Sequence, residues 1–341
     1  MGSDRPPRKR TGRRTSLRNI PGIAAAIAVA AIATLLARFA PLVGAPVLAI
    51  VLGVAIREIR PLPERCRDGL AFSARTVLQA AIVVSGFGLS LAVVVKTGFG
   101  TLPVTLGTIA VALILAPLAG RLLGLKRTLR TLVGVGTAIC GASAIAAVAS
   151  VIAPEEIDVA LSIATVFFYN IVAVLIFPPI GHALQLSQDA FGLWAGTAIN
   201  DTSSVVAAGY VYGHEAGDHA TIVKLTRATL ILPIVAVIAL LRARQSRAGG
   251  VKVPWAKIVP WFIVYFLAAA LINTLGLVPA AWHGAVSVVA IFLISTALAA
   301  IGLQTELARL LRSGARPLAL GFILWVCVAL SSLAIQRATG L

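Results

Sequence analysis

The chain has 341 residues, 59% of them hydrophobic and 12% charged, with a mean hydropathy of +0.97. A soluble domain carries about 25% charged residues, so the composition excludes an ordinary cytosolic enzyme and makes the bilayer the solvent. The formal charge of +17, from 29 Lys and Arg against 12 Asp and Glu, reads either as nucleic-acid binding or as membrane topology, and its placement decides between them.

Residues 1–18 hold seven basic residues and no apolar run, which reads as a disordered cytoplasmic tail ahead of a transporter domain over 19–341. Arg13-Arg14 before an apolar run also fits a twin-arginine signal, but that run is of span length and more such runs follow it. A helix needs about 20 apolar residues to cross a hydrocarbon core of about 30 Å. Eleven runs approach or reach that length: 20–39, 41–56, 77–95, 102–123, 132–152, 159–181, 191–212, 220–241, 258–278, 285–308 and 318–336. The second is short and contains Pro41 and Pro46. None shows the alternation of a barrel strand, so the expected fold class is all-α, a polytopic membrane protein of about eleven transmembrane helices.

With the N-terminus cytoplasmic, the tail, Arg57 to Arg75, Arg121 to Arg130, Arg242 to Lys257, and Arg309 to Arg316 together place 24 of the 29 basic residues on one face. Glu155, Glu156, Asp158, Glu215 and Asp218 fall on the other. That is the positive-inside pattern, with the C-terminus outside, and it needs no nucleic acid. Cys66, Cys140 and Cys327 are too dispersed for a disulfide framework or a metal cluster.

Two internal similarities stand out. Gly86 to Gly98 matches Gly302 to Gly314 in glycine spacing, with a basic and a hydroxyl residue before the second glycine and a proline after it. These copies lie on spans three and ten, which run in opposite directions, as an inverted repeat requires. Gly136-Thr-Ala-Ile-Cys-Gly-Ala-Ser-Ala-Ile-Ala-Ala147 matches Gly196-Thr-Ala-Ile-Asn-Asp-Thr-Ser-Ser-Val-Val-Ala207 at six of twelve positions. Counted as spans five and seven these run parallel, which no inversion explains.

Span five is rich in glycine and small residues, and a break near Cys140-Gly141 would present the N-terminus of a half-helix at Ala142-Ser143 as an anion site. The alternative is an unbroken small-residue helix interface. Span seven carries Asp201, the one acid well inside a span, within Asn200-Asp201-Thr202-Ser203-Ser204. An intramembrane charge is costly and points to function. Lys224 and Arg227 lie three apart on the next helix, and depth counting places Arg227 level with Asp201, so an Asp201–Arg227 pair is expected. One acid beside two bases favours an anionic solute. Asn170, Gln79 and Asn273 read as packing amides, Glu306 as a partner for Arg309, and His214 and His219 as an exposed polar loop without metal. No nucleotide-binding or hydrolase motif is present, so neither ATP-driven transport by this chain alone nor catalysis is expected.

The stretches Gly86-Phe-Gly-Leu-Ser-Leu, Ile139-Cys-Gly-Ala-Ser-Ala-Ile-Ala-Ala147, Ala195 to Gly209 and Ile222-Val-Lys-Leu-Thr-Arg227 resemble the bacterial YeiH-type sulfate exporter family over about residues 20–340. The resemblance implies an inner-membrane secondary transporter related to the bile acid/sodium symporter-like superfamily, with inverted repeats, discontinuous helices, and sulfate or an organosulfonate as solute. Many members carry His-Asp where this chain has Asn200-Asp201, and Gln in place of Ser204. That departure puts proton coupling through an imidazole there in doubt.

The expected function is alternating-access transport of a small anion, with Cys140, Gly141, Ser143, Asn200, Asp201, Thr202, Ser203, Ser204, Lys224 and Arg227 forming the site. No cofactor is expected, H+ or Na+ is the candidate coupling ion, and self-association is left open. The alternative is a non-transporting membrane sensor or scaffold that uses the same polar residues for packing.

Overall fold

The computed structural model describes residues 13–39, 44–60, 62–245, 260–306 and 314–341. Residues 1–12 of the predicted tail lie outside that set, and the first helix, α1, spans Arg13–Ala37. Every regular element among the described residues is helical. Among the described residues, seven helical stretches are long and apolar enough to cross a membrane: Asn19–Ala37, Glu64–Gly86, Leu102–Leu122, Glu156–Ala183, His214–Ile238, Ala280–Gln304 and Ala315–Thr339.

Helix α2 (Gly44–Ile59) carries Pro46 in its first turn, where a missing N–H removes no helical bond. The third predicted span is displaced. Its helix starts at Glu64 and passes through α3 (Arg67–Phe72), a π turn (Ser73–Val77) and α4 (Leu78–Gly86). It stops at Gly86, and Ser90 caps a separate short helix, α5 (Leu91–Gly100), by accepting from the Val93 N–H at 3.2 Å. Hydropathy hid the upstream half because the helix carries Arg65, Arg67, Asp68 and Arg75. Helix α6 is Leu102–Leu122.

Two predicted spans do not cross. Residues 132–152 form α7 (Arg127–Ala138) and α8 (Ala142–Ile152), and residues 191–212 form α10 (Gln188–Ala198) and α11 (Thr202–Tyr212). Each pair doubles back on itself. A straight helix would hold Lys126 and Glu155 about 40 Å apart at 1.5 Å per residue, yet Lys126 Nζ lies 3.0 Å from the Glu155 carboxylate. Likewise Gln188, at the start of α10, accepts from the Ala216 N–H, beyond the end of α11, at 3.1 Å. The first hairpin opens towards one end of the molecule and the second towards the other. Between them runs α9 (Glu156–Ala183), and after them come α12 (His214–Thr229) and α13 (Ile231–Gln245). The chain closes with α14 (Trp261–Thr274), α15 (His283–Gln304) and α16 (Ala315–Thr339).

The hairpins correct the predicted faces at one loop. Glu155, Glu156 and Asp158 join the basic end, where Arg57 pairs with Glu306, and Arg316 approaches Gly124 at the end of α6. Glu306 therefore has a partner other than the expected Arg309, which lies outside the described residues. The correction also removes the parallel-motif puzzle: the matching stretches 136–147 and 196–207 sit in hairpins of opposite orientation and break at equivalent positions. Helices α4 and α15 are antiparallel, as the end of one meets the start of the other around Ser85 and Ser287. The rest of the 302–314 copy is largely outside the described residues.

Helices α1 to α4, α14 and α15 pack into one bundle, and α6, the two hairpins, α9, α12 and α16 into a second. The first is knit by backbone contact: a Cβ on Gly302 of α15 would stand 2.4 Å from the Ile50 carbonyl oxygen of α2, and one on Gly53 of α2 would stand 2.7 Å from that of Ala299. Small residues let helices approach this closely where lipid offers no hydrophobic drive.

Candidate functional site at the hairpin tips

In the first hairpin α7 ends at Ala138, and Gly141 takes φ +66° and ψ −129°, a conformation open to glycine alone. The expected break at Cys140-Gly141 is therefore present. The N-terminus of α8 has no side-chain cap, and Ser143 in its first turn is exposed while Cys140 is buried.

The second hairpin breaks at the matching place. Ile199 is extended, and Asp201 caps α11, its Oδ2 accepting from the Ser203 N–H at 2.9 Å and from the Ser203 hydroxyl. Asn200, Ser203 and Ser204 are buried and Thr202 half-buried. Asn170 on α9 holds the break, its Oδ1 accepting from the backbone N–H groups of Asn200 and Asp201, each at 3.1 Å. The tips touch: a Cβ on Gly141 would stand 3.7 Å from the Cβ of Asp201.

Lys224 and Arg227 on α12 have no exposed surface. Lys224 Nζ donates to the carbonyls of Ile139 at 2.8 Å and Ile199 at 2.9 Å, one at each tip. Arg227 donates from Nε to Ala138 at 2.7 Å, from Nη2 to Thr137 at 2.8 Å, and from Nη1 to the Thr197 carbonyl. These are the last carbonyls of α7 and α10, which have no intrahelical donor and carry the negative end of the helix dipole. The expected Asp201–Arg227 ion pair is absent among the described residues. The carboxylate is committed to its own helix start, and the guanidinium to two helix ends.

All ten predicted site residues thus lie at the tips or on the helix that braces them. Asn170 does more than the packing assigned to it. His214 and His219 are not in a loop, because Gly213 alone separates α11 from α12. No group of three or more metal-ligating side chains occurs among the described residues.

Helices of spanning length, paired re-entrant hairpins and buried cations at their tips define a multi-pass membrane protein with a discontinuous-helix core. Comparison with known proteins places it more narrowly. The family model described as Conserved hypothetical protein 698 matches residues 21–321. A UPF0324 membrane protein of Streptococcus pyogenes serotype M18 is 40% identical over 337 residues, 96% of this chain and 99% of that protein. Similar proteins from Streptococcus pneumoniae strain R6 and Streptococcus agalactiae serotype V are 40% and 38% identical, each covered over 98% of its length. The chain belongs to this family, that of the UPF0324 membrane proteins.

Proposed function

We propose that the protein is a secondary active transporter that moves a small anion across the bacterial cell membrane by alternating access, with its N-terminus in the cytoplasm. Sulfate or an organosulfonate is the solute class, and the chain carries out no bond-making chemistry. The observation that carries this reading is the unequal capping of two equivalent tips. The C-terminal ends of α7 and α10 are neutralised by Lys224 and Arg227. The start of α11 is neutralised by Asp201, and the start of α8 by no side chain. A helix start holding unbonded N–H groups and the positive dipole end attracts an oxyanion, and Ser143 stands beside it. The Asn200 Oδ1, buried without a partner, is a neutral oxygen ligand that suits Na+ as coupling ion, whereas coupling to H+ would have to use the Asp201 carboxylate.

The test is flux of labelled sulfate and methanesulfonate into proteoliposomes under an imposed pH or Na+ gradient, for the wild type and D201N. Gradient-dependent uptake that D201N abolishes supports the proposal. Absence of flux, together with absence of anion-dependent thermal stabilisation, favours a sensor or scaffold instead.

A further inference from the structure

At the end of the molecule away from the basic residues, a cavity of about 390 Å³ opens between the two bundles, lined by Ser85, Tyr210, His214, Asp218, His283 and Ser287 among others. One hydrogen-bonded chain runs along it. Tyr210 of α11 donates its hydroxyl to Asp218 Oδ1 at 2.5 Å. Asp218 Oδ2 lies 3.3 Å from His214 Nδ1, one turn earlier on α12. His214 Nε2 is 2.6 Å from Ser287 Oγ on α15, in the other bundle.

We infer that His214 is a proton-binding site that clamps the hairpin bundle to the α15 bundle, so that the far-end pH sets how firmly the two are joined. In the neutral ring the acceptor-only carboxylate of Asp218 keeps the hydrogen on Nδ1, and Nε2 accepts from the Ser287 hydroxyl. A proton arriving from the far end binds Nε2. Ser287 Oγ then accepts from it and turns its own hydrogen into the cavity. Asp218 keeps its charge, and the cluster gains one positive charge. Hydrogen bonds from an ionised donor are roughly twice as strong as neutral ones, so protonation tightens the bond between bundles and deprotonation loosens it. The titratable groups facing the ring are Asp218 from α12, Tyr210 from α11 and His283 at the start of α15, with Glu215 of α12 acting on it through its charge, while α4 presents the Ser85 hydroxyl. His283 is exposed and paired with Asn273 at 2.9 Å, so it takes no part in the chain.

The inference rests on the proposal that the bundles move against each other, and it is read without any solute. Spin labels at Leu184 and Val289, both exposed at the far end and on different bundles, report their separation in nanodiscs at about pH 5.5 and about pH 8.5, either side of the ordinary imidazole range. The wild type is expected to shift to longer distances at the higher pH. H214Q and S287A are expected to lose the shift, and H283Q to keep it. A shift that survives in H214Q, or in S287A should H214Q fail to fold, overturns the inference, as does a wild-type distance unaffected by pH. A pH-dependent shift in a protein that shows no flux removes the transport proposal and leaves the proton site standing.

Discussion

Replacing Arg227 by methionine removes a buried guanidinium while keeping much of its volume. The carbonyls of Thr137, Ala138 and Thr197 lose their donors, and an unsatisfied buried group costs about 1–3 kcal/mol. The dehydration cost of the guanidinium disappears at the same time, which offsets several kcal/mol. The three orphaned carbonyls together cost about 3–9 kcal/mol, so after that offset R227M is expected to lose about 2–5 kcal/mol net. Against a total stability of about 5–15 kcal/mol this is severe. R227K is the sharper comparison. Its ammonium still has to be dehydrated, yet a point charge on a shorter stem cannot reproduce a planar fork that reaches two hairpins, so R227K should be no more stable than R227M. The assay is denaturation in mixed micelles followed by tryptophan fluorescence, since Trp194 on α10 stacks on Phe177 at 4.2 Å and reports the second hairpin. R227M within about 1 kcal/mol of the wild type, against the loss of about 2–5 kcal/mol expected, or R227K clearly above R227M, would refute the reasoning.

Membrane-impermeant thiol reagents should label K126C and E155C from the same side of the membrane and S187C from the other; labelling of 126 and 155 from opposite sides would restore a crossing helix. G302A should lower thermal stability by about 1–3 kcal/mol, the usual cost of overpacking, because its Cβ would meet the backbone of α2. G284A, with nothing within 4 Å of the added Cβ, should be neutral or stabilising by up to about 1 kcal/mol, and equal melting temperatures for the two variants would count against the α2–α15 crossing. S143D puts a carboxylate into the first turn of α8, so it should abolish any sulfate-dependent rise in melting temperature; an undiminished rise would place the anion elsewhere.

The helices and the break at Cys140-Gly141 were legible because hydropathy and glycine are local signals. The doubling back was not, since an apolar run of about twenty residues reads the same whether it is straight or folded in half. Two cues were present but unused. Asp201-Thr202-Ser203 is a helix-capping pattern as much as a buried charge, and the alignment of 196–207 with a breakable segment would put a second break at Ile199-Asn200-Asp201. Depth counting set Arg227 level with Asp201, whereas Arg227 reaches the helix ends just behind the breaks and Lys224 the breaks themselves. It missed their partners, because a break leaves helix-end carbonyls without intrahelical donors, while the carboxylate already caps a helix. The bridge from His214 to Ser287 joins residues far apart in the chain, and no local pattern announces it.

Lys224 holds Ile139 of one hairpin and Ile199 of the other with a single ammonium group, and Arg227 repeats the arrangement one turn further along α12. Neither hairpin can swing open alone without tearing a charged bond from its opposite number. The pair cannot act as two gates that take turns. Under the transport proposed above, anything lodged between the tips would have to travel with both of them as cargo on one carriage, with the other bundle as the rail on which it slides.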